Sequence, residues 1–313
     1  MLEGVMLLWF IQVAIATAFV AVDIRTTPEA TVMKWGFVII TLFSGLFGAL
    51  LYVLSCREPL PGTHELYVAA KWRQVVGSTM HCVAGDGIGI LAAAVITSHL
   101  GFPMWAEVLC EYALGFLFGW SVFQALFMKS MFGSYWDSLR NTFMAELLSM
   151  NAVMGGMTAV MVPWMTSDML AMNPASPRFW FVMSIALCAG FVVALPVNWW
   201  LVDHGLKHGM MTVRPEGSPV PQVAAIALAA AAASGQHSLG FGTEGSLPTF
   251  GQSAGAHHGD TPGSAPPEHR HHAMGRPVDR SQLFVMTVVS FLIFGAGFLV
   301  AAIFGDLMMH HSV

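Results

Sequence analysis

The stretch Val75-Val-Gly-Ser-Thr-Met-His-Cys-Val-Ala-Gly-Asp-Gly-Ile-Gly-Ile-Leu-Ala-Ala-Ala-Val-Ile-Thr-Ser98 decides how this chain is read. A helix needs about 20 mostly apolar residues to cross the hydrocarbon layer of a bilayer. This stretch is long enough, yet it carries His81 and Asp86 near its middle. Lipid cannot satisfy exposed backbone groups, so a segment at that depth is helical. Ionisable side chains there are costly and mark either a functional site or a polar lock between helices. Cys82 and Asp86 stand four residues apart and share a face, whereas His81 points about 140° away from Asp86 on a helical wheel. One helix therefore cannot close a site around all three. A second must supply partners, and Gly85, Gly87 and Gly89 leave room for it.

The rest of the chain has the same character. Of its 313 residues, 56% are hydrophobic and 10% charged, whereas a soluble domain carries about 25% charged residues. Apolar stretches at roughly 5–22, 33–54, 75–98, 103–128, 142–165, 179–202 and 282–306 predict about seven transmembrane helices in an all-α, polytopic membrane bundle. The lipid bilayer is the first partner. The net charge of −5 and the lack of a basic patch exclude nucleic acid as another. The four cysteines form no CxxC pair, so no disulfide framework is expected. The first apolar run lacks a basic start and a cleavage site and reads as a retained span.

Four regions follow: a two-helix scaffold at 1–70, a four-helix polar-core domain at 71–210, a linker at 211–281, and a final span with an outer His310-His311 tail at 282–313. The linker is rich in Ala, Gly, Pro and His, a composition that predicts disorder; its six histidines offer weak metal ligands or are a mere bias of composition. With seven spans, ten Lys and Arg residues, including Arg57, Lys71, Lys129 and Lys207, share one side, while Arg25, Lys34 and Arg178 share the other. The positive-inside rule then makes the N-terminus and the linker cytoplasmic.

Further polar groups lie within the spans. Glu107 and Glu111 share one face of the fourth span near its outer end. Like charges at that spacing repel unless one is protonated, a cation lies between them, or one reaches water. In the fifth span, Glu146, Met150, Met154, Met157, Met161 and Met165 fall within about 100° of arc, and Glu146 to Met161 covers roughly 22 Å of helix. Such a thioether ladder suits a soft ion such as copper(I); equally, methionine is an adaptable packing residue. At the end of the sixth span, His204 and His208 stand four residues apart beside Asp203, a pair able to grip one ion or an ordinary polar helix end.

Several of these features carry a family likeness. His81-Cys82 with Gly85, the run Glu111-Tyr-Ala-Leu-Gly-Phe-Leu-Phe-Gly, Glu146 with Met150-Asn151, Phe179-Trp180, and Leu195-Pro-Val-Asn-Trp-Trp-Leu with Gly205 and His208 resemble bacterial inner-membrane proteins grouped as a domain of unknown function (DUF4396), over about residues 71–210. The resemblance implies a helical membrane domain built around His81, Glu146, Pro196, Asn198 and His208. It brings no activity with it. Met154, Met157 and Met161 crowd the segment after Glu146 more densely than the family pattern.

The reading that unites these residues is a carrier or channel for a soft metal cation, copper(I) first. His81, Cys82, Asp86, Glu107, Glu111, Glu146, Met150, Met154, Met157, Met161, His204 and His208 are its expected ligands. No phosphate-binding loop is present and no enzymatic role is expected. The competing readings are an accessory or assembly subunit of a larger membrane complex, alone or as a homo-oligomer, and a proton-coupled transporter of another substrate.

Overall fold

The structure, a computed structural model, describes residues 2–210, 212–213 and 278–309. The six linker histidines and the His310-His311 tail lie outside the described residues. Among the described residues ten α-helices follow in order: α1 Leu2–Asp23, α2 Thr31–Ser44, α3 Leu46–Ser55, α4 His64–Val68, α5 Lys71–Ser98, α6 Met104–Phe118, α7 Ala125–Phe132, α8 Tyr135–Ser167, α9 Pro177–Asp203 and α10 Arg280–Phe304. A π-helical turn, Gly119–Gln124, joins α6 to α7. Among the described residues there is no sheet, only an isolated bridge between Glu29 and Thr212. Among the described residues six helical segments are long and apolar enough to cross a membrane: α1, α5, Met104–Lys129, α8, α9 and α10.

Local chemistry sets the helix starts. Ser134 accepts a hydrogen bond from the Asp137 N–H, 3.1 Å, and Ser176 caps α9 just before Pro177. Asp279 and Gln282 form a capping box at α10. These groups satisfy backbone N–H donors that have no partner within the helix.

Small residues then let the helices pack closely, as the glycine spacing predicts. A Cβ at Gly156 in α8 would stand 2.8 Å from Ala189 O in α9, and one at Gly155 would stand 2.7 Å from Ile293 O in α10. A Cβ at Gly89 in α5 would stand 2.7 Å from the Cα of Gly115 in α6. The α8 helix thus sits between α9 and α10, and α5 holds α6 beside it.

The expected second span, 33–54, is not one long helix. It breaks at Gly45, whose φ of 59° lies in the left-handed region that favours glycine. Gln12 of α1 reaches this break, and its Oε1 accepts the Leu46 N–H at 2.6 Å. Beyond the break the chain turns back. Tyr52 Oη in α3 donates to Asp23 Oδ2 at 2.7 Å and lies 2.9 Å from Thr27 Oγ1, and Arg57 pairs with Asp23 at 2.9 Å. The pair α2–α3 is therefore a hairpin that enters the bundle and leaves at the end where α1 finished.

This hairpin changes the sidedness of the chain. Glu3, at the start of α1, lies 3.9 Å from Arg178 at the start of α9, while Asp203 at the end of α9 pairs with Lys71 at the start of α5. Arg25, Lys34, Arg57, Lys71, Arg73, Lys129, Arg140 and Arg280 all belong to the Lys71 end. Among the described residues, Arg178 is the only Lys or Arg at the Glu3 end. The sequence expectation had placed Arg25 and Lys34 opposite Arg57 because it counted the hairpin as a crossing.

Candidate functional site

The middle of α5 meets α8 in a buried polar cluster. Cys82 and Asp86 share one face of α5, as their spacing requires, and Cys82 Sγ lies 3.5 Å from Asp86 Oδ2. The partner helix is α8: both Glu146 carboxylate oxygens lie 3.4 Å from Cys82 Sγ, and Ser149 Oγ lies 3.1 Å from it. One carboxylate oxygen of Asp86 and one of Glu146 lie within 4.8 Å of each other and of Cys82 Sγ. Ser149 donates to Asn198 Oδ1 of α9 at 3.1 Å, so three helices join here.

The π-helical turn leans on this cluster from a further side. A Cβ at Gly119 would collide with Asp86 Oδ1 and stand 2.8 Å from Glu146 Oε1. Only a glycine fits this position, which closes the run Glu111-Tyr-Ala-Leu-Gly-Phe-Leu-Phe-Gly. Asp86 Oδ1 and Asn198 Nδ2 are buried without a hydrogen-bond partner, and such groups call for a ligand, a proton or water.

The residue that completes the cluster is Lys207. Its Nζ donates to Cys82 Sγ at 3.0 Å and lies 3.3 Å from Glu146 Oε2, and both ionic side chains are 1% exposed. Burial opposes its charge, but Cys82 and Glu146 outweigh that and hold the ammonium above the usual lysine range. The sequence reading took Lys207 for a loop charge. Instead the segment after α9 folds back under the bundle, with Met210 O accepting from Gln74 Nε2 at 3.1 Å and Thr212 bridging Glu29.

The other expected ligands are not gathered here. His81 lies with its ring 5.4 Å from Phe123 and 4.8 Å from Phe127, and its Nε2 has no hydrogen-bond partner. Glu107 and Glu111 are buried in α6, and Glu111 Oε2 has no hydrogen-bond partner. They sit toward the Glu3 end, with Glu111 about 12 Å along the helix from Gly119. Met150, Met154, Met157 and Met161 are all buried within the apolar core. The His204 and His208 pair assumed a helix that continues through both. The helix ends at Asp203, Gly205 has a φ of 68°, and the His204 ring stacks on Trp200 with Nδ1 2.8 Å from Trp200 O. His204 and His208 therefore do not share a helix face.

Two groups of side chains among the described residues bring three metal-ligating atoms within 4.8 Å of one another: Cys82 with Asp86 and Glu146, and Glu29 with Cys56 and His64. No curated protein and no solved structure matches the chain. Residues 71–207, which hold Cys82, Asp86, Glu146 and Lys207 of the central cluster, match the model of the family described as a domain of unknown function (DUF4396).

Proposed function

We propose that this chain is a membrane carrier that exchanges protons for a small cation at the Cys82–Asp86–Glu146–Lys207 cluster. The observation that carries the reading is the Lys207 ammonium, held between a thiol and a carboxylate at a depth where charge is rare. A side-chain cation stands where a free cation would be bound. An incoming ion takes the place of Nζ, and the Cys82 thiol gives up its proton as it becomes a ligand. The cargo we assign is copper(I). Sulfur is at the middle of the cluster, and Met150 and Met154 continue from Glu146 along the buried face of α8.

The test is anaerobic copper(I) loading of purified protein, with bound copper and released protons both measured. About one proton is expected per ion bound, and Cys82→Ser is expected to bind far less copper. Leucine at Met150, Met154, Met157 and Met161 keeps bulk at a cost of under about 1.5 kcal/mol per site, and this variant is expected to hold less copper. Equal copper in the Cys82→Ser and unchanged proteins overturns the site; equal copper in the leucine variant removes the methionines from the path.

Orientation follows from the charges. The positive-inside rule assigns the Lys71 end to the cytoplasm, so the N-terminus lies outside, opposite to the expectation from seven spans. An epitope added before Met1 is expected to be digested by protease applied to intact spheroplasts. Protection until lysis would reverse the assignment.

A further inference from the structure

The second group of ligating side chains lies outside the family-matched segment and away from the central cluster. Glu29 precedes α2, Cys56 follows α3, and His64 opens α4. The hairpin brings the first two together at the Lys71 end, because α2 and α3 leave the bundle on the same side. All three are buried: Glu29 is 4% exposed, and Cys56 and His64 are 0% exposed. One ligand atom from each lies within 4.8 Å of the other two.

We propose that Glu29, Cys56 and His64 form a binding site for a borderline divalent cation of the zinc class. The donor set is one carboxylate oxygen, one thiolate and one imidazole nitrogen. Zinc accepts all three donor types, and three protein ligands leave a fourth tetrahedral position for water or another donor. A hard ion such as magnesium wants oxygen donors throughout, and copper(I) gains less from a carboxylate than from a second sulfur.

The histidine is already oriented for this role. His64 Nδ1 lies 2.7 Å from Thr212 Oγ1, and Nε2 lies 3.1 Å from the Cys56 carbonyl. Without metal, Nε2 carries the proton and donates to that carbonyl. With metal, the proton moves to Nδ1 and is donated to the threonine. A hydroxyl can donate or accept, so Thr212 serves either tautomer. Such an outer hydrogen bond is the usual support of a metal-bound histidine. Thr212 also makes the bridge to Glu29, so it holds two of the three ligands in place. A buried histidine satisfied by a threonine and a carbonyl would by itself be an ordinary core contact. The thiol and carboxylate converging on it from two other segments are what that account leaves unexplained.

Cobalt(II) titration of the purified full chain tests the proposal, because cobalt bound to thiolate gives an intense near-ultraviolet charge-transfer band. The expected result is one such band, kept in Cys82→Ser and lost in Cys56→Ser, with zinc abolishing it by competition. Thr212→Val keeps the shape and leaves the three ligands in place. It is expected to weaken cobalt binding by about tenfold or more, the usual effect of removing an outer partner. Glu29→Gln gives a second conservative variant should Cys56→Ser fail to fold, and it too is expected to weaken binding. No thiolate band in the unchanged protein, or a band that survives in Cys56→Ser, overturns the proposal. A band lost only in Cys82→Ser overturns it as well and locates the metal at the central cluster instead.

Discussion

Replacing Lys207 with methionine is expected to destabilise the protein by about 3–5 kcal/mol, because it leaves an uncompensated charge among buried groups. The expectation rests on the 3.3 Å contact between Nζ and Glu146 Oε2, with both side chains 1% exposed. Methionine fills most of the volume, so the loss is one of charge rather than packing. Adding Glu146→Gln to the same chain removes the orphaned carboxylate and is expected to restore most of the stability. Thermal unfolding in detergent of the two single variants and the double variant closes the cycle. Additivity within about 0.5 kcal/mol would mean that the two groups do not interact, and the cluster would lose its electrostatic basis.

The same pair sets a pH dependence. Lys207 is held above the usual lysine range despite its burial, by Cys82 and Glu146. A raised value in the folded state means that its contribution is complete below the unfolded lysine value of about 10.4 and is lost only as pH rises through the folded one. The unchanged protein is therefore expected to show no Lys207-linked loss of stability between pH 6 and 9, roughly four to one units below that value.

Glu146→Gln alone is expected to fold and to stop transport. Glutamine keeps the shape and both polar ends but carries no charge and binds no proton. Losing a buried charged partner costs about 3 kcal/mol or more, which is at least about a hundredfold in ion occupancy. In proteoliposomes containing a pH-sensitive dye, copper-driven proton movement should fall by that order, while Glu146→Asp retains a measurable rate. Undiminished flux in a monodisperse Glu146→Gln protein would place the pathway elsewhere. The stability cycle and the flux assay separate the two roles of the cluster, since a polar lock predicts the first result without the second.

Much of the architecture was legible in the chain. The apolar runs gave six of the long helices, and the Gly85–Gly89 pattern pointed to close packing. The spacing of Cys82 and Asp86 required a partner helix, which proved to be α8 with Glu146. The errors came where local pattern met a distant contact. The stretch 33–54 has the hydropathy of a span, but its break depends on Gly45 and on Gln12, more than thirty residues earlier in the chain. Asp203-His204-Gly205 contained a helix-stop signal, since glycine is favoured just past a helix C-terminus. Reading that signal would have separated His204 from His208.

Chain composition and periodicity by themselves determined that this is a helical protein for lipid, with acids and a thiol at costly depths. That follows because hydrocarbon enforces internal backbone bonding and makes every polar side chain conspicuous. Only the tertiary structure decided that α2 and α3 turn back, that Lys207 enters the core, and that Glu29, Cys56 and His64 converge. Those outcomes depend on contacts between residues far apart in the chain, and hydropathy, which is a local sum, carries no record of which distant charge will neutralise which.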